Sequence, residues 1–384
     1  MDKNITEIKQ INQLNKTGNN NVYTWGFGKT GSLGTGKENS EAIPICIKFK
    51  ENITSVSSGL HTSMCLTEDG NIYAFGCNKQ GRIGLNSGVS EIKIPLLIKI
   101  SNNKITKISC GKNHSLAVNN FGIAFGTGYN KHGELGLNDN FDRLEFTQIN
   151  IKDVNQISAG SISLFLDFDN KIYSCGKSKL SGFSSGFDIT VPTLIKGFEN
   201  EVIVSISSGY THSACVNSNG QIYTWGEGSD FQLGHGNKKR QQIPKLIENF
   251  HYHINQISCS VGEKHCHTTC VDKEGNVFSW GSGYKCKLGH GDTKDISTPK
   301  QIQYLIGTKV IKCFSGGIHT AVLTQDNKCL TFGCGSDGRL GHKESEDLNV
   351  LYKESKPREI EYFSNKNVID LSCSYYHCIA LVSN

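Results

Sequence analysis

No apolar run in this 384-residue chain approaches the 18 or so residues that carry a helix across a bilayer, so no helical membrane span is expected. Charge of one sign is not in excess either: 40 basic residues against 35 acidic ones leave +5, too balanced to require nucleic acid or an anionic surface. The first 20 residues are polar and lack the apolar stretch of a secretory signal. The 15 cysteines are odd in number and follow no disulfide-framework spacing. Without an export signal they read as free thiols of a reducing compartment, cytoplasmic or nuclear. Proline is scarce, at six residues. The body of the chain sustains no 3.6-residue apolar period, which sets helical architectures aside.

Glycine, at 42 residues, is abundant and regularly placed. Gly26, Gly76, Gly126, Gly176, Gly226, Gly281 and Gly333 are 50, 50, 50, 50, 55 and 52 residues apart, each behind an aromatic residue or a cysteine. A period near 50 marks one supersecondary unit copied seven times. Within residues 53–84 the runs ITSVSS, HTSMCLT and NIYAFG have the length and composition of strands. Asp69-Gly70, between the last two, is a hairpin signal, because glycine supplies the positive φ that such turns require. Other copies repeat the turn and the apolar-Gly pairs Leu33-Gly34 through Leu340-Gly341. Pro44, Pro95, Pro192, Pro244, Pro299 and Pro357 share one slot, read as a strand start. Each copy is therefore about four short antiparallel strands.

Such units stack into a solenoid or close into a propeller. The chain begins on an orphan third strand, NNVYTWG, and finishes on two strands, VIDLSCS and HCIALV, that lack their hairpin partner. Two halves of one unit at opposite ends predict a closed ring. The expected fold is all-β: a seven-bladed β-propeller of four-stranded antiparallel blades over residues 20–384, closed by pairing of the N- and C-terminal strands, behind a polar extension over residues 1–19.

The aromatic-Gly, Gly-x-Leu-Gly, Ile-Pro and Gly-x-x-His-Ser/Thr elements at this period resemble the regulator of chromosome condensation repeat, over roughly residues 20–384. The resemblance implies a seven-bladed propeller. From the founding members it implies guanine-nucleotide exchange on the small GTPase Ran, while other members are binding modules. The exchange factors carry acidic residues in two loops that here read Gly111-Lys112-Asn113-His114 and Gly160-Ser161-Ile162-Ser163. That departure turns the expectation toward a protein-binding propeller that docks or regulates a small GTPase, with exchange on a Ran-like GTPase as the alternative. Two features favour the alternative. The loop Gly126 to Gly136 reads as two residues longer than its counterparts, where the exchange factors lengthen a wedge. His265 and His267 resemble a paired histidine of those factors, and His377 a functional one. The candidate partner-binding residues are accordingly Lys112, His114, Tyr129, Asn130, Lys131, His132, His265, His267 and His377. They lie on the face that the Gly-x-x-His and aromatic-Gly loops share. Chromatin or nucleic acid is supported only by the short run Lys238-Lys239-Arg240.

No constellation for covalent catalysis is present, and neither cofactor nor metal is expected. His61, His114, His212, His267, His319 and His377 recur in one slot, which argues for structure, with His267 and His377 as the functional exceptions. On a strand, Cys266 and Cys270 would stand about 13 Å apart, too far for one zinc with His265 and His267. Gly26-x-Gly28-x-x-Gly31 and Gly333-x-Gly335-x-x-Gly338 match a dinucleotide fingerprint but lead into strands, where the real motif opens a helix. Plant UV-B receptors of the family carry tryptophan beside the loop histidine. Those positions here are Leu60, Asn113, Thr211 and Cys266, so light sensing is not expected.

Overall fold

The structure, a computed structural model, describes residues 20–100, 104–198, 200–345 and 352–383; the proposed extension over 1–19 lies outside them. The described strands form seven four-stranded antiparallel sheets arranged as a propeller. Blade 1 is β3 (Ile53–Ser58), β4 (Thr62–Thr67), β5 (Ile72–Cys77) and β6 (Glu91–Ile98), in that order from the centre outward. Blades 2 to 6 repeat the order over residues 105–148, 154–194, 203–246, 254–301 and 310–359. Blade 7 joins the ends of the chain. Its order is β2 (Glu41–Ile47), β1 (Asn20–Gly26), β28 (His377–Ser383), β27 (Asn367–Cys373). The β1–β28 register runs unbroken from Asn20 opposite Ser383 to Gly26 opposite His377. The ring is closed as the sequence implied.

The second strand of each blade is covered on both faces by neighbouring sheets. TSMCLT in blade 1 and HSLAVN in blade 2 are therefore buried along their whole length. This explains why these strands lack the polar–apolar alternation of a half-exposed strand. Core residues lie between adjacent sheets: Trp25, Phe75, Trp225, Trp280 and Phe332 are all fully buried in one slot. Each indole N–H reaches back to the preceding blade, Trp25 to Arg339 O at 3.0 Å, Trp225 to Leu180 O at 3.0 Å and Trp280 to Gln232 O at 2.9 Å. At the centre, Ser57, Ser109, Ser158, Ser207, Ser258 and Ser372 each accept a backbone N–H from the next blade's innermost strand. Blade 6 has Phe314 in that place.

Two landmarks move. The prolines stand inside the outermost strands, not at their starts. Pro44, for example, falls in the bulge between the pairs Thr24–Ile45 and Gly26–Glu41. An outer strand has a free edge, so the missing N–H costs little there. The second shift concerns Gly126. It faces Leu116, while Gly128 faces His114 and has φ +107°. Gly128 is thus the counterpart of Gly76 and Gly226, and Gly126 is not a member of the repeat set. Measured from Gly128, the loop to Gly136 is as long as Gly26 to Gly34, so the expected lengthening of this loop is not there.

Candidate functional site

The slot histidines are joints between blades. Each ring sits one residue before a hydroxyl or thiol position, and its Nε2 meets that position in the next blade. His114 reaches Ser163 Oγ at 2.9 Å, His212 Thr268 Oγ1 at 2.8 Å, His267 Thr320 Oγ1 at 2.8 Å, His319 Cys378 Sγ at 3.1 Å and His377 Ser63 Oγ at 2.8 Å. The hydroxyls pass a bond onward to a backbone carbonyl: Ser163 to Glu134 O, Thr268 to Gln232 O, Thr320 to Lys287 O and Ser63 to Ser32 O. A hydroxyl that donates to a carbonyl accepts from the ring, which assigns the proton to Nε2. Burial holds these imidazoles neutral, lowering His114 to about 4 and His212, His319 and His377 to about 3. Two joints lack the ring. Thr62 and Ile162 hold the slot, opposite Gly76 and Gly176, and Ser213, the hydroxyl that Ile162 would have served, has no hydrogen-bond partner. His61 is one residue outside the slot.

This corrects part of the candidate set. His114, His267 and His377 are buried joints that offer no donor to a partner. Asn130 is fully buried as well. It braces its own loop, accepting from Leu135 N and donating to Asp139.

The structure brings four of the named residues together. Lys112, the edge of His114, Tyr129 and His132 line one cleft of about 200 Å³, with Glu134, Ser161, Lys177 and Tyr210. It lies where the loops of blades 2, 3 and 4 meet on the expected face. His132 Nδ1 pairs with Asp188 at 2.7 Å, and its backbone N–H binds Glu134 Oε2 at 2.9 Å. Burial raises the Glu134 carboxyl above the ordinary range. Lys112, in a loop of blade 2, pairs with Glu263, in a loop of the non-adjacent blade 5. Tyr210 is buried at the base, and its hydroxyl has no protein partner. Lys131 is exposed on the rim. His265 stands apart, exposed and stacked on Tyr284 at 4.3 Å.

Sequence reasoning missed an aromatic cluster on the same face. Tyr376 stacks on His61 at 5.0 Å, with Phe27 5.3 Å and Tyr375 4.4 Å from Tyr376. The Arg339 guanidinium lies 5.5 Å over the Tyr376 ring. Arg339 and Arg82 occupy equivalent buried loop positions. Arg82 binds Lys79 O and Lys112 O, and Arg339 binds Ser336 O and Tyr375 O, so each ties its loop to the next blade. Burial, then Arg82 and Lys79, lowers His61 to about 4. The signal lay in the sequence: basic residues recur six positions after the strand glycine, as Arg82, Lys287 and Arg339.

Comparison with known proteins agrees with this architecture. Residues 13–266 match the model of the RCC1-like domain, and residues 274–323 and 326–381 match the regulator of chromosome condensation (RCC1) repeat. The chain is 30% identical over 320 residues to the human E3 ubiquitin-protein ligase HERC2, covering 81% of this chain but only 6% of the ligase. It is 29% identical over 338 residues to the ultraviolet-B receptor UVR8 of Arabidopsis thaliana, covering 85% of this chain and 76% of the receptor. Prp20p of Saccharomyces cerevisiae, a protein with binding properties toward Gsp1p and histones, superposes with a TM-score of 0.80. Identity there is 17%, covering 96% of this chain and 92% of Prp20p.

Proposed function

The chain belongs to the regulator of chromosome condensation repeat family, and from that premise we propose that it is a docking propeller whose loop face receives a protein partner, a small GTPase or its relative. The observation that carries this reading is the cleft of blades 2 to 4. It is fixed by buried braces such as Asn130, while Lys112, Tyr129, Lys131, His132 and Lys177 stay at least partly open to solvent. Loops held on a rigid scaffold are where binding surfaces are built. Docking is favoured over nucleotide exchange because Lys112 and Ser161 stand where the exchange factors carry acids, and because the loop beginning at Gly128 has ordinary length. The binding of Gsp1p and histones by Prp20p supports a protein partner for this fold, and histones as targets favour the nucleus. HERC2 places a similar propeller within a far longer protein, so that protein's ligase activity gives no guide to this chain.

The test is capture of purified small GTPases, nucleotide-free and loaded, by the full chain and by Lys131→Ala/His132→Ala. Docking predicts binding that the double variant weakens about tenfold without a change in melting. A faster release of fluorescent nucleotide would move the reading to exchange. No capture from a broad GTPase panel would remove that partner class.

A further inference from the structure

The joint between blades 6 and 7 differs from the other six in three ways. Phe314 replaces the innermost-strand serine that accepts a backbone N–H elsewhere. Cys378 takes the position that is Ser63, Ser115, Ser163, Ser213, Thr268 or Thr320 in the other blades. The residue facing Cys378 across the strand pair is a second thiol, Cys373. Cysteine recurs at that facing position in blades 2 and 5, but there Cys110 faces Ser115 and Cys259 faces Thr268. Among the described residues, only blade 7 pairs two thiols at this level, and its neighbour supplies a histidine ring.

The three donors converge. His319 Nε2 is 3.1 Å from Cys378 Sγ, and Cys378 Sγ is 3.3 Å from Cys373 Sγ. All three atoms lie within 4.8 Å of one another and the residues are buried. As a hydrogen-bond network this is poor, since S–H is a weak donor and sulfur a weak acceptor. As a ligand set it is good. Two soft thiolates and a borderline imidazole make a donor set that suits zinc or cuprous ions. Donors around one ion at about 2.0–2.3 Å stand roughly 3.5–3.8 Å apart at tetrahedral angles, so the 3.1 Å and 3.3 Å gaps on either side of Cys378 Sγ would each need to open by about half an ångström.

We propose that His319, Cys373 and Cys378 form a structural site for one thiophilic d10 ion, Zn(II) or Cu(I), which staples blade 6 to blade 7. Binding displaces two thiol protons. For Zn(II) the two thiolates cancel the ion's charge, so no net charge is buried. The staple compensates for the serine link that Phe314 removes, and it lies in the blade where the chain closes on itself.

The test uses the full chain purified under reducing conditions, with metal content measured by mass spectrometry. Separate titrations with Zn(II), Cu(I) and the spectroscopic probe Co(II) follow. The expected result is one ion per chain, a thiolate-to-cobalt charge-transfer band, and a melting temperature that falls on chelation. The Zn(II) and Cu(I) titrations identify the ion. Cys378→Ser restores the residue type of the other blades, so it should fold as the parent does while its ion content drops from one to zero. Cys373→Ser should behave alike, and Cys110→Ser should keep the ion. The proposal is overturned by failure to take up Zn(II), Cu(I) and Co(II), or by full binding in Cys378→Ser. It is overturned equally by finding Cys373 and Cys378 joined as a disulfide in protein isolated without reductant.

Discussion

Replacing Ser163 and Ser213 by alanine, one at a time, separates the histidine joints from their mere repetition. Both serines are fully buried, in the same position of adjacent blades. Ser163 accepts from His114 and donates to Glu134 O at 2.6 Å. Its loss leaves the His114 N–H unpaired in a dry site, at a cost of about 1–3 kcal/mol, and removes a carbonyl bond worth about 1 kcal/mol more. Cys175 Sγ, 3.3 Å from the same carbonyl, offsets little of this. Ser163→Ala should therefore lose about 2–4 kcal/mol. Ser213 has no partner to lose. Removing a hydroxyl that is desolvated without compensation should leave stability unchanged or raise it by up to about 1 kcal/mol. Urea unfolding, followed by the fluorescence of the buried tryptophans, measures both on one scale. The two variants should differ by at least about 2 kcal/mol at equal m-values. Equal losses would refute the claim that the ring nitrogens carry the joints.

Acid should unfold the protein through the same histidines. Their folded pKa values lie below the unfolded value near 6.5, so their contribution is complete above pH 6.5 and is lost as the pH falls toward the folded values. At pH 5 His114 and His212, which stand clear of the proposed ion site, should each have withdrawn about 2 kcal/mol, or about 4 kcal/mol together. That is a large share of an ordinary domain's stability. A urea midpoint that stays level from pH 7.5 to pH 5 would contradict the neutral assignment. Gly128→Ala should cost about 2–3 kcal/mol, because its φ is +107° and a Cβ would stand 2.6 Å from Asn113 O. Gly126→Ala meets only the ends of Leu135, Ile149 and Leu116, at 3.1 Å or more, and should cost less. The opposite order would restore the register in which Gly126 is the landmark.

The ring, the blade order and the closing strand pair were legible because they rest on period, turn chemistry and strand length, which are local properties. The register of one copy was not. Counting 50 residues from Gly76 lands on Gly126, yet the hairpin fixes a different distance. Fourteen residues separate His114 from Gly128, as they separate His212 from Gly226 and His319 from Gly333. Spacing within a hairpin is held by hydrogen bonds, whereas spacing between copies absorbs insertions in the outer loops, so the shorter ruler is the truer one. The candidate site was legible as a face and as two of its loops, one holding Lys112 and the other Tyr129 and His132. Its inner division was not, because burial depends on the neighbouring blade. His114 and His132 have the same chemistry, but only the second reaches solvent. The cluster of Phe27, His61 and Tyr376 joins residues more than 300 positions apart in sequence and exists only once the ring has closed.

The histidine links all point the same way around the disc. From His212 onward they run without a gap through blades 5, 6 and 7 and, across the chain ends, into blade 1. The breaks at Thr62 and Ile162 leave blades 2 and 3 as a separate two-member arc. The molecule is a cracked hoop, and one of its cracks, between blades 3 and 4, passes beneath Tyr210 and the cleft. Amide hydrogens along that crack should exchange sooner than those along the long arc, and a guest wedged there would press on the most yielding part of the rim.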